Sequence, residues 1–132
     1  QSGILFTVDT FDNLLRSGRV GRGQVMIAGL LDIRPILALG NDGRVHPLAK
    51  VRGRQNVPAR MLQELRQNIP PDAQRLRFGV VHVGCVDKAE EFATLLRGVF
   101  GEDREIIVAP ASPVLATHLG PGAWGVAWQV ED

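Results

Sequence analysis

The chain has 132 residues, 45% of them hydrophobic and 22% charged, with a formal net charge of +1. That length suits one domain able to bury a real core. No uncharged apolar run approaches the roughly 18 residues a membrane helix needs, and Gln1-Ser2-Gly3 does not open a leader pattern, so neither a membrane span nor a secretory leader is expected.

Ile4-Leu5-Phe6-Thr7-Val8 is apolar and β-branched and reads as a buried strand. Asp9 or Thr10 is placed to cap a helix carrying Leu14 and Leu15, which Ser17-Gly18 stops. Gly21-Arg22-Gly23 is a joint, and residues 25–31 suit a short buried helix. Asp32-Ile33-Arg34-Pro35 is expected to turn the chain into a strand over residues 36–39. Asn41-Asp42-Gly43 then makes a hairpin turn, because these residues tolerate positive φ. Residues 45–51 return as its partner, and Pro47 marks that strand as an edge or a bulge.

An amphipathic helix is expected over residues 57–69, with Met61, Leu62, Leu65 and Ile69 on one face and Pro70-Pro71 ending it. Residues 78–83 form a strand. Asp87 is placed to cap the next helix, with Glu90 three residues on, and Phe92, Leu95, Leu96 and Val99 are its expected buried face. Residues 105–108 are a strand, and residues 114–117 a further extended segment after Pro110 and Pro113. A tight turn over residues 118–122 leads to a last strand, in which Trp124, Val126 and Trp128 share one face. Strand, helix and hairpin signals mix, so the fold class is α/β: a mixed β-sheet partly covered by helices.

Cys85, the only cysteine, excludes an internal disulfide and fits a reducing, cytoplasmic setting. No local pattern activates it, so structural burial is expected. His46, His82 and His118 lie 36 residues apart with no cysteine or carboxylate at ligand spacing, and no metal is expected. His82, between valines, reads as a satisfied core histidine, and His46 as exposed on the edge strand. Residues 1–60 carry nine Lys/Arg against four Asp, whereas residues 61–132 carry six against ten acids. The early half could therefore offer a basic face to an anion or an acidic partner, unless folding interleaves the halves. Lys50, Arg52 and Arg54 make the densest basic cluster. No aromatic residue is interleaved, so nucleic acid is not the expected partner.

Four segments, in this order, resemble the DegV family. They are Leu5-Phe6-Thr7-Val8-Asp9-Thr10 with the run from Leu14 to Val20; Leu31 to Leu37 with Asp42-Gly43-Arg44; Lys50-Val51-Arg52-Gly53-Arg54; and Thr117-His118-Leu119-Gly120-Pro121-Gly122-Ala123-Trp124-Gly125. The resemblance implies that residues 1–132 are a single domain equivalent to the family's C-terminal domain. The family's N-terminal domain, which supplies hydroxyl ligands for the acid, lies outside this chain. It further implies a long-chain fatty acid as ligand, and no cofactor or catalytic residue. A separate fatty-acid kinase would be the partner to which the acid is presented.

By the same resemblance His118 and Arg19 are the carboxylate contacts. Val25, Met26, Ile27 and Leu30 wall the acyl tunnel, and Arg52 and Arg54 touch the partner. Each residue also has a plain structural reading. His118 can be a strand-end imidazole satisfied by backbone, Arg19 a solvated turn residue, the 25–31 run ordinary core, and the basic cluster a solvated face. Two other functions stay open: a non-catalytic interaction or regulatory module, and an acyl- or phospho-transferase using His118 as acid/base.

Overall fold

The computed structural model describes residues 2–9, 33–40 and 42–131. Six strands form one sheet: β1 (Ser2–Thr7), β2 (Ile33–Leu39), β3 (Val45–Arg52), β4 (Arg75–His82), β5 (Glu105–Pro110) and β6 (Trp124–Glu131). Their order across the sheet is β3-β2-β1-β6-β4-β5. All neighbours are antiparallel except β4 and β5. Among the described residues the helices are α1 (Val57–Asn68), α2 (Val86–Phe100) and α3 (Pro113–Leu119). The parallel pair needs a long crossover, and α2 supplies it. This is the α/β mixed sheet expected from the sequence.

Alternation along the strands divides the core in two. On one face Leu5, Ile36, Val80, Val126 and Trp128 pack against Met61 and Leu65 of α1 and Phe92 and Leu96 of α2. On the other, Phe6, Leu37 and Val45 pack with Val8, Leu119 and Ala123 in a smaller cluster. That second face is incompletely covered by described residues: Ile4, Leu39 and Ile107 remain exposed, Ile107 by 60%.

The hairpin forms as its sequence dictates. Gly43 takes φ 77°, and the Asp42 carboxylate accepts the Arg44 amide at 2.9 Å and faces His46 Nε2 at 3.2 Å. Those two contacts hold the Asp42 carboxyl below its usual range. β3 is an edge strand, and its register with β2 jumps from Ala49 opposite Ile36 to Pro47 opposite Leu37, so Leu48 bulges. Pro47 thus sits on an edge and beside a bulge, both places where a missing N–H is tolerated.

Four expectations fail, each for a local reason. Ile33, Arg34 and Pro35 do not turn the chain; they open β2. Pro35 lies beyond the last β1–β2 pair, Phe6 with Leu37, and among the described residues its strand neighbour is the edge strand β3, through Lys50. Residues 114–117 are not extended but belong to α3: Ser112 is its N-cap, accepting the Leu115 amide at 3.2 Å, and Pro113 opens it. Asp87 does not cap α2. Cys85 holds the N-cap position, and Asp87 lies in the first turn, where its charge complements the helix dipole. The buried stripe of α2 is Ala89, Phe92, Ala93 and Leu96, the i, i+3, i+4, i+7 set, which leaves Leu95 and Val99 each 42% exposed.

Candidate functional site: an apolar cavity on the second sheet face

The strand registers bring several chain segments to one end of the sheet. Thr7, Trp124, His82 and Pro110 lie side by side across β1, β6, β4 and β5. Both parallel strands end there, and open α/β sheets place ligands beyond the carboxyl ends of such strands. From β4 the chain enters α2; from β5 it enters α3 and then a glycine turn. Ala111 N donates to His82 O at 2.8 Å, and Gly122 N to Val83 O at 2.9 Å, so both connections are tied to the end of β4.

Gly120 and Gly122 take φ of 84° and 86°, the left-handed region that glycine enters without strain. Gly122 has a second constraint: a Cβ there would overlap the Asp9 carboxylate. Gly122→Ala is therefore expected to cost about 1–2 kcal/mol from backbone strain alone, and more from displacing Asp9. A urea titration against the parent protein checks it.

Beside this turn lies a cavity of about 360 Å³, within the size range of small-molecule sites. Its floor is the second sheet face, from Ile4 and Phe6 to Val81 and Gly125, and α3 forms a wall through Val114, Leu115 and His118. The lining is mainly apolar, with Ser112, His82 and His118 as its polar side chains. A second depression, about 560 Å³, shares Ile4 and Leu39 with the first and runs along the same face to Gly79, Ile107 and Gln129.

His118 lies on α3, one residue from its end, rather than in a tight turn, and lines the cavity. Arg52 ends β3 and is exposed; Arg54 begins a short 3-10 turn (Arg54–Asn56), with Nη2 3.7 Å from Asp9 Oδ2. Neither arginine lines the cavity. Arg19, Val25, Met26, Ile27 and Leu30 lie outside the described residues. His46 is exposed on the edge strand, and His82 is buried, 9% exposed, accepting the Cys85 amide on Nδ1 at 3.2 Å. Sequence reasoning missed Val81, Ser112 and Leu119 as cavity residues. The signal available was position: Val81 is next to last in β4, and Ser112 and Leu119 are the N-cap and last residue of α3, the helix that follows β5.

Cys85 is half-buried, and its Sγ donates to Ala123 O at 3.3 Å. Burial pushes the thiol pKa up, which keeps it protonated and a poor nucleophile. Among the described residues no group of three His, Cys, Asp or Glu side chains could hold a metal ion. None of the described helices is long and apolar enough to cross a membrane.

The profile of the DegV family, described as an uncharacterised protein family, matches residues 1–131. A DegV domain-containing protein of Halalkalibacterium halodurans is 34% identical over 131 residues, which cover 99% of this chain and 45% of the relative. A Thermotoga maritima protein with fatty-acid-binding function superposes with a TM-score of 0.79 at 32% identity, over 98% of this chain and 43% of that one. DegV of Bacillus subtilis, a fatty-acid-binding protein, superposes at 0.78 and 28% identity, over 98% of this chain and 45% of that one. The chain thus spans less than half the length of these relatives. A profile match over nearly every residue, joined to the same sheet and helices, makes this chain a member of the DegV family.

Proposed function

We propose that this chain supplies one half of a fatty-acid-binding site. The second sheet face takes the acyl chain, and His118 contacts the carboxylate at the α3 end of the cavity. The observation that carries the reading is the first cavity itself: a mainly apolar hollow whose polar side chains, Ser112, His82 and His118, come from α3, its N-cap and the end of β4. That polarity matches an acid with one charged head and a long tail. Burying about 16 carbons offers ~10 kcal/mol gross at about 0.8 kcal/mol per methylene, before ordering costs. Few polar contacts are then needed for affinity, and the head-group contacts serve orientation.

In this reading a companion domain closes the exposed face and completes the head-group site, with Arg19 as a further contact and residues 25–30 as additional wall. The relatives' greater length and the fatty-acid-binding function of two of them support it. The bound acid is presented to a separate fatty-acid kinase in the cytoplasm. Arg52 and Arg54, exposed and outside the cavity, suit contact with that partner. The transferase alternative is disfavoured, since burial pushes the Cys85 thiol pKa up and its Sγ donates to Ala123 O.

The test is mass spectrometry of lipid retained by the purified full-length protein. Long-chain acid at near one equivalent supports the reading, and lipid-free protein that takes up no added palmitate overturns it. Within that experiment, His118→Ala is expected to weaken palmitate binding about tenfold or more, the worth of one hydrogen bond to a charged group.

In this reading the acyl tail continues from the cavity into the adjoining second depression, which Gly79 lines and which sets a length limit. Among the described residues, none other than the chain neighbours of Gly79 comes within 4 Å of where a Cβ on it would sit. Gly79→Leu should fold normally yet obstruct that second depression. Competition between palmitate and decanoate is expected to shift several-fold toward the shorter acid.

A further inference from the structure

We propose that His82 is a second ligand-facing hydrogen-bond donor in the cavity, its tautomer set by the backbone amide of Cys85. The proposal rests on the fatty-acid reading above and deepens it.

β4 ends at His82, and the chain then bends through Gly84, φ 67°, so that the Cys85 amide points back at the ring. That N–H donates to Nδ1 at 3.2 Å. An amide can only donate, so Nδ1 is the bare nitrogen, and the neutral ring carries its proton on Nε2. Nε2 makes no hydrogen bond to a described residue. His82 and His118 both line the cavity. An N–H without a partner in an apolar setting is costly unless a ligand oxygen satisfies it.

A carboxylate has two oxygens and accepts from two donors at once. His118 and His82 border the same space from different elements, α3 and the end of β4. The acid head is thereby held from both sides, and charge-assisted bonds favour it over the uncharged ester of the same chain. The sequence context of His82, valines on either side, marks only its structural nitrogen. The other nitrogen is the functional one.

The two jobs of the ring can be separated by substitution. In His82→Asn the side-chain carbonyl takes the place of Nδ1 and can still accept from Cys85, but the distal donor is gone. In His82→Gln the terminal amide reaches the place of Nε2 and can donate, while the contact with Cys85 is lost. Palmitate titration of delipidated full-length protein is expected to show His82→Asn weakened about tenfold or more, with His82→Gln binding several-fold tighter than His82→Asn. The reverse order, or two variants that bind like the parent, overturns the proposal.

If both lose affinity equally, the His82 Nε2–H resonance of the unmodified protein decides. A shift with palmitate and none with methyl palmitate supports the contact; no shift with palmitate refutes it. A parent protein that takes up no palmitate is a different result, because it removes the fatty-acid reading itself.

Discussion

Val81→Trp is expected to reduce palmitate affinity at least 100-fold, about 2.7 kcal/mol, while leaving the fold intact. Val81 sits in β4 beside Gly125 of β6 and lines the cavity from the sheet side. Its side chain points away from the face packed by α1 and α2, so an indole enters existing space instead of a filled core. Small-to-large changes usually cost about 1–3 kcal/mol because a packed core must move aside; here the displaced occupant is ligand or solvent. A thermal melt within a few degrees of the parent, together with loss of retained lipid, is the expected pair of results. Unchanged palmitate affinity would place the acyl chain elsewhere and remove the cavity from the site. His118→Ala should do less damage, because it deletes one polar contact and leaves the tail its seat.

The elements legible in the sequence are those with one face buried and one exposed. Trp124, Val126 and Trp128 alternate, and β6 follows; Met61 and Leu65 recur at helical spacing, and α1 follows. The hairpin was legible because Asp42-Gly43 carries its own turn chemistry. α3 was not. Val114 and Thr117 are β-branched and Pro113 looks like an interruption, so the segment reads as extended until Ser112 is recognised as a cap and Pro113 as a first helical residue.

The cavity was less legible still. Its wall draws on all the strands but one, and on α3, and those elements meet only through long-range pairing. Nothing in the composition of Val81 or Leu119 distinguishes a cavity lining from ordinary core. His118 was singled out by resemblance and by the nearby glycines, and it does line the cavity. His82 reads as structural because its sequence neighbours are apolar, and one of its nitrogens is indeed used that way. Family likeness points to the region, and the fold shows which side chains share it.

Phe92→Ala tests the opposite face and is expected to destabilise the domain by about 3–5 kcal/mol. Phe92 is 1% exposed in the middle of α2, and its ring lies 4.8 Å from that of Trp124 at 49°. Truncation removes the buried ring, leaves a void against the sheet and breaks an aromatic pair worth about 0.5–1.5 kcal/mol beyond its area. Typical domains are stable by only about 5–15 kcal/mol, so a large lowering of the urea midpoint is expected. Palmitate affinity of the folded fraction should fall less than tenfold, because Phe92 does not itself line the cavity and touches it only through its ring partner Trp124. A folded Phe92→Ala protein with no affinity would mean that the two faces respond as one body. The expected contrast with Val81→Trp, stability lost on one side and binding on the other, follows from their opposite placement on a single sheet. The face covered by α1 and α2 holds the strands in register, while the other face carries the cavity.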